Sequence, residues 1–499
     1  MRSHPQSRLT AETRIEEGIP TMLRCVAVLL CMLLLSESVF AQKEKLSESI
    51  VRREASSWDL ALKIWALAEP GYQEIESARL LADVLEQAGF QVKRGVAEIP
   101  TAFTATFGSG SPVIAILGEY DALPGLSQEA TTERMPRPSG TYGHACGHHL
   151  FGVASASAAI ALAEQIAAKQ LTGTVRFYGC PAEEGGSGKA FMVRAGLFHD
   201  CDAALHWHPS SRNTAGDSSC LARAAVKFRF HGLSAHAAGS PELGRSALDA
   251  IELTCHASEL MREHTPDLTR IHHVITSGGG APNVVPDFAE VFFYVRHPKA
   301  EIVRELYPRL VKCAQAGALA TETKLEEQYL GGTMELLPND RLAEIALANL
   351  KQLNDLKYDA TQAQFAQRIS ETLARPQPLD SIAQVSDTSG EVGKGSTDVG
   401  DVSWVIPTAG FTTACFVPGT ASHSWQAVAA GGTTIGKQGM QLAARTMAAT
   451  VWDLLKQPEI VTQAKAEHAR RLAGRKYEPL ILPNQKAPLD YRRVLENQP

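Results

Sequence analysis

The sequence predicts an α/β protein: a mostly parallel mixed sheet flanked by helices, with a ferredoxin-like α+β domain inserted into it. Three observations carry this. Short apolar strands alternate with helical stretches over residues 46–220, the rhythm of a sheet covered by helices on both faces. Over residues 221–335 the order changes to strand, helix, strand, strand, helix, strand, the split βαβ arrangement. From 336 to 475 the first rhythm returns. At 499 residues the chain also exceeds the roughly 250 to 300 at which a single core stops growing, so more than one domain is expected.

Apolar residues three and four apart from 46 to 65 predict a helix that Pro70-Gly71 ends. Residues 113–118 read as a buried strand that delivers Glu119 and Asp121 at its carboxyl end. After a polar loop at 126–141 come an Ala-rich helix (150–168), a strand (174–179) running to Glu183 and Glu184, and a strand (203–205) running to His208. Binding sites in such sheets gather at the carboxyl ends of strands, where these residues fall. In the inserted domain the strands are 224–230, 270–276, 290–295 and 324–329, and the helices 246–263 and 302–316. Residues 376–395 read as a loop, 412–416 as a strand before His423, and 435–455 as a closing helix. The basic, Pro-containing chain beyond Glu459, ending in a tail at 476–499, is expected on the surface.

The net charge of -6 is spread over the chain without a Lys/Arg block, which argues against nucleic acid and for a small-molecule substrate. The apolar run from Cys25 to Leu35 is about half of what spans a bilayer. Arg24 precedes it and Ser38-Val39-Phe40-Ala41 follows, so residues 1–41, with Met22 as the start, read as a secretory signal. Export to a periplasm is expected, with no membrane attachment once the signal is removed. Of nine cysteines, Cys25 and Cys31 leave with that segment; the odd remainder implies a thiol with a task other than pairing, and Cys146 is the candidate.

Cys146 lies in Gly143-His144-Ala145-Cys146-Gly147-His148-His149, where a thiolate and an imidazole two residues apart can converge on one cation. Alone, such a pair is equally a buried cysteine beside histidines. Glu183 and Glu184 follow a strand directly; neighbours on an extended chain face opposite ways, so one can bind metal while the other addresses a water. His206 and His208 share a strand face with Trp207 on the other, and His208, nearer the strand end, is the better ligand candidate. His423 sits in a polar turn after an apolar strand.

From about residue 55 to 475 the runs GEYDALPGLSQEA, GHACGH, TVRFYGCPAEEGGSGKAFMVRAG, DAALHWHP, HAAGSPELGRSALDA, PNVV and STDVGDVSW resemble one family. It is the metallopeptidase and aminoacylase family that contains carboxypeptidase G, plant auxin-conjugate amidohydrolases and p-aminobenzoyl-glutamate hydrolases. The resemblance implies a zinc-peptidase-like catalytic domain with an inserted dimerisation lid. It implies Cys146, His148, Glu184, His208 and His423 as ligands of two divalent ions, Mn2+ or Zn2+, and Glu183 as general base. His236 would reach the partner subunit's site and hold the substrate carbonyl oxygen, while Asn283 and Arg296 would hold a substrate carboxylate. The implied reaction is hydrolysis of an N-acyl or N-aroyl amino acid, with p-aminobenzoyl-glutamate favoured over dipeptides or auxin conjugates. A homodimer is implied, or assembly with a paralogous A-type subunit.

Two positions depart from the family pattern. Glu119-Tyr120-Asp121 stands where distant relatives carry His-x-Asp; Asp121 fits a role behind a ligand, and Glu119 does not match a direct one. His149 replaces Asp or Asn, as an extra ligand or a packing residue. Two other readings compete: a thiol hydrolase with Cys146 as nucleophile and His148 as base, and an exported binder of metal or amino acid without catalysis. Glu183 beside Glu184 counts against the binder, which has no use for a second carboxylate.

Overall fold

Strand Val113–Glu119 sends Ile114 and Ile116 into one buried layer and Ala115 and Leu117 into another, so it lies inside a sheet covered on both faces. The computed structural model describes residues 43–138 and 140–492, and the expected signal segment lies outside them. The sheet runs, in spatial order, Gln91–Arg94, Phe103–Ser109, Gly173–Cys180, Val113–Glu119, Ala203–Ser210, Thr408–Ala414, Asn213–Ala215 and Val385–Asp387. Its four central strands are mutually parallel, and antiparallel pairs appear only towards its edges.

Helix His148–Ala167 is apolar and long enough to cross a membrane, but it lies in the core. It packs against Val113–Glu119 and against the long helix Thr434–Lys456. Its burial on all sides follows from its Ala-rich composition, which lets neighbours approach closely from every direction.

The inserted domain has the order strand Ala222–His231, helix Ala247–Arg262, strands Arg270–Ser277 and Phe288–His297, helix Ala300–Thr321 and strand Lys324–Thr333. Its sheet is fully antiparallel, with Arg270–Ser277 at one edge, and the helices close a separate core over Phe228, Val291 and Phe293.

Several features differ from the sequence reading. The first helix breaks at Arg53 into residues 43–52 and Glu54–Leu67. Helices Asp340–Leu353 and Ala360–Glu371, capped by Asn339 and by an Asp359/Gln362 capping box, were not anticipated. The 376–395 stretch contains strand Val385–Asp387, which pairs with Asn213–Ala215 and widens the sheet. The tail after helix Pro458–Leu472 runs largely along the surface, as expected, but it is anchored at a few points. Leu480, Ile481 and Tyr491 are buried, the Tyr477 hydroxyl donates to Asp401 (2.7 Å), and Gln485 donates to the Tyr329 carbonyl (3.0 Å). Its prolines keep this stretch out of helix, and its few apolar residues anchor it.

Candidate active site

Cys146 ends a loop that Gly147 turns into helix His148–Ala167 at φ 77°. A Cβ at position 147 would stand 2.7 Å from Pro209 and 3.0 Å from the Phe416 ring, so only glycine lets this turn seat against the strand that carries His208. Cys146 Sγ then lies 3.3 Å from His208 Nε2 and 3.6 Å from His423 Nε2. His423 Nε2 is in turn 3.5 Å from Glu184 Oε2. Three candidate ligand groups result, each with donor atoms within 4.8 Å of one another: the triads Cys146/His148/His208 and Cys146/Glu184/His423, with Cys146 common to both, and Glu119/His148/Glu183, which shares His148 with the first. The structure thus brings together all five residues that the resemblance singled out as ligands.

Hydrogen bonds set the imidazoles for this task. His148 Nδ1 donates to Asp121 Oδ1 (2.8 Å), and its buried Nε2 has no hydrogen bond but lies 3.2 Å from Glu119 Oε2. His208 Nδ1 donates to the Pro209 carbonyl (2.7 Å) and also presents Nε2. Glu184 Oε1 is likewise buried and unpartnered. A thiol, two oriented imidazoles and an orphaned carboxylate oxygen converging on one point fit a divalent cation, and a carboxylate behind a histidine is a recurrent support for such a ligand. Burial holds the Cys146 thiol well above its ordinary range, reinforced by Glu184; a bound cation reverses that preference.

The turn carrying Glu183 and Glu184 is pinned from outside. Glu74 accepts from the Ala182 amide (2.8 Å), Asp121 Oδ2 from the Glu184 amide (2.9 Å), and the Tyr72 hydroxyl donates to the Gly186 carbonyl (2.7 Å). Ala182, Ser187 and His423 all adopt positive φ (56°, 59° and 60°), a strained conformation for residues with a Cβ, held here by the surrounding contacts. The two carboxylates are driven apart. Burial, reinforced by Glu119 and Glu184, raises Glu183 well above the usual carboxylate range. For Glu184 burial acts in the same direction but is outweighed by His423 and His148, which hold it down to about 2. Adjacent acids with opposed proton affinities are how a site separates a proton carrier from a permanent anion.

Glu119 is engaged on two sides, its Oε2 lying 3.2 Å from His148 Nε2 and its Oε1 paired with a lysine. Its carboxylate takes the ammonium of Lys189 at 2.6 Å, and Lys189 also meets Asp398 at 2.7 Å. Burial alone would discharge Lys189, but Asp398 and Glu119 outweigh it. Lys189, Asp398 and Glu74 are residues the sequence reading missed; a lysine inside the apolar run Gly188–Arg194 was the available signal. His149 bonds the Gly431 carbonyl (3.1 Å) and stacks near His144, so it packs rather than joining either triad. All seven cysteines among the described residues are free thiols, so parity does not single out Cys146; its position does.

The lid residues divide. Arg296 lies inside, against Tyr294, and Glu183 is among the charges acting on it. His236 and Asn283 are exposed and joined to each other's turn: the Ala237 amide donates to the Asn283 carbonyl (3.0 Å). Neither hydrogen-bonds to the triads of its own chain.

A cluster of metal-ligating side chains with an adjoining second carboxylate, at the carboxyl ends of parallel strands and beside an antiparallel inserted domain, fits a metal-dependent hydrolase of amide bonds. Comparison with known proteins makes the class specific. The chain belongs to peptidase family M20/M25/M40, whose profile it matches over residues 115–427. It is 42% identical over 438 residues (82% of this chain, 91% of the relative) to the B-type subunit of p-aminobenzoyl-glutamate hydrolase from Escherichia coli K12. It is 29% identical over 429 residues (83% and 89%) to the Xaa-Arg dipeptidase of Mus musculus. Among solved structures, the aminobenzoyl-glutamate utilization protein of Klebsiella pneumoniae superposes with a TM-score of 0.58 at 18% identity, covering 83% of this chain and 99% of that one. The Bacillus subtilis YXEP protein, a dinuclear metal-binding peptidase of the M20 family, superposes at 0.52 and 18% identity, covering 81% and 98%.

Proposed function

We propose that the chain hydrolyses the amide bond of an N-acyl or N-aroyl amino acid, with p-aminobenzoyl-glutamate as its preferred substrate. The observation that carries this reading is the Glu183–Glu184 pair: Glu184 stands in a triad with Cys146 and His423, and the half-buried Glu183 stands beside it, close to Glu119 and His148 and with no ion-pair partner among the described residues. The name of the 42% identical relative supports the choice of substrate.

Two divalent ions would be held by Cys146, His148, His208, Glu184 and His423, with Cys146 shared, and would supply Lewis acidity that makes a water nucleophilic near neutral pH. Glu183 accepts the proton of the attacking water and passes it to the departing nitrogen, a task its raised proton affinity suits. The thiolate suits Zn2+, while the imidazoles and carboxylate also accept Mn2+. His236 Nδ1 accepts from the Ala238 and Gly239 amides (3.2 and 3.0 Å), which places the ring proton on Nε2 as a donor for a carbonyl oxygen. Because His236 is exposed and bound only to its own turn, it serves the site of a second subunit. The lid edge Arg270–Ser277, with Val274 and Ile275 exposed, is the surface through which a homodimer or a paralogous A-type partner would pair. Export to a periplasm, through the signal at 1–41, remains part of this proposal.

The test is Glu183→Ala in metal-reconstituted protein. Turnover of p-aminobenzoyl-glutamate is expected to fall by about 10²–10⁴-fold with metal content unchanged. An active variant refutes the mechanism, and activity that survives exhaustive chelation favours the thiol-hydrolase reading instead.

A further inference from the structure

Arg223 and Arg296 face each other directly across the antiparallel strands Ala222–His231 and Phe288–His297. Both guanidinium groups lie on the ring of Tyr294, at 4.8 and 5.3 Å from its centroid. Arg223 is only 4% exposed, and both Nε atoms are buried without a hydrogen-bond partner. Like charges directly opposed on a sheet repel, and a buried cation without a counter-ion is costly. Among the described residues neither arginine has a carboxylate within ion-pair distance. Burial and the Arg223 charge together hold Arg296 below its ordinary range.

A third guanidinium comes from the tail. Arg492 Nη2 donates to the Glu184 carbonyl (2.7 Å), its guanidinium lies over Tyr491 (5.0 Å), and its Nε too is buried and unpartnered. The Tyr142 hydroxyl donates to the Arg492 carbonyl (3.2 Å) and fixes that end of the tail. Arg223 and Arg492 reach one turn, and Arg296 joins Arg223 on the Tyr294 ring beside it. Arg223 donates to the Ser187 hydroxyl (3.0 Å), and a Cβ at Gly185 would stand 3.0 Å from the Tyr294 hydroxyl and 3.6 Å from Arg492 Nη2. Three cations thus stand near the turn that carries Glu183 and Glu184, and their own partners are aromatic faces, a hydroxyl and a carbonyl.

We propose that Arg223 and Arg492 join Arg296 in a dianion subsite that reads the side-chain carboxylate of the amino acid to be released. Substrates are then amides of aspartate or glutamate, and the C-terminal tail is part of the active site. One carboxylate pairs with Arg296; the second is held between Arg223 and Arg492, where planar guanidinium groups can bind it bidentately. A neutral side chain of the same shape leaves those buried donors unpaired, and a cationic one meets like charge. The inference rests on the amide-hydrolase reading and deepens it.

The experiment compares N-(4-aminobenzoyl)-L-glutamate with its glutamine and arginine counterparts on the metal-loaded full chain. The wild type is expected to favour glutamate over glutamine in kcat/KM, and Arg492→Gln and Arg223→Gln to shrink that ratio at least about tenfold, chiefly through KM. A wild-type ratio near one overturns the subsite. So does a ratio that both variants leave intact while slowing both substrates equally, as residues that merely brace the turn would. Melting curves accompany both variants, and Arg492→Gln, on the tail, keeps the test decisive should Arg223→Gln not fold. If the wild type cleaves none of the compounds, the hydrolase reading fails by itself. Calorimetric binding of the glutamate and glutamine compounds then decides the subsite: preference for glutamate that Arg492→Gln abolishes upholds it, and equal binding overturns it.

Discussion

At the catalytic end of the site, each chemical group is braced by another: His148 by Asp121, His208 by the Pro209 carbonyl, the Glu184 amide again by Asp121. At the lid end, His236 and Asn283 stand exposed, and Arg223 and Arg296 crowd each other without a counter-ion. The first region is braced within the chain, and on the proposed reading a second subunit would use the other. On that reading chemistry is preorganised by buried hydrogen bonds, whereas recognition would be completed by an anion and a neighbouring subunit.

Variants can break this contrast from either side. Cys146→Ala, by removing the sulfur common to both triads, is expected to abolish metal retention and turnover together; elemental analysis alongside an activity assay reads both. His236→Ala is expected to lose about 10²–10³ in kcat with full metal content. Co-expressed His236→Ala and Glu183→Ala chains should recover about a quarter of wild-type activity, since half the dimers then carry one intact composite site. No recovery would place the whole site in one chain. Asp121→Asn is expected to weaken metal binding by about 10–100-fold, measured by competition with a chelating dye, because the His148 tautomer is no longer enforced. Lys189→Met leaves Glu119 and Asp398 buried together and should cost about 3–5 kcal/mol in denaturant unfolding.

The contrast also explains what the sequence could reveal. The strands 113–119, 173–180 and 203–210 were legible because they are apolar runs flanked by turn residues, and the acids and histidine at their ends fell where such sheets place sites. The βαββαβ order of the lid was legible from the same periodicities. The strand Phe103–Ser109 and the short Val385–Asp387 were not, because their pairing is decided by neighbours distant in sequence. Glu183, Glu184 and Cys146 were found through their residue types and spacing. Lys189, Asp398 and Arg223 escaped because a single buried charge in an apolar stretch looks like a surface residue until its partner is known. The anchoring of the tail escaped for a related reason: its composition is that of a solvated linker, and only three-dimensional packing shows Tyr491 and Arg492 reaching the catalytic turn.

One sulfur atom belonging to both triads means that the two cation positions cannot be filled independently. Whatever the first ion does to orient that sulfur alters the second ion's affinity, and the coupling must be reciprocal. Metal uptake by this chain is therefore expected to be cooperative or anticooperative, never two plain hyperbolae, and a dilute chelator would turn the enzyme off over a concentration range set by the pair.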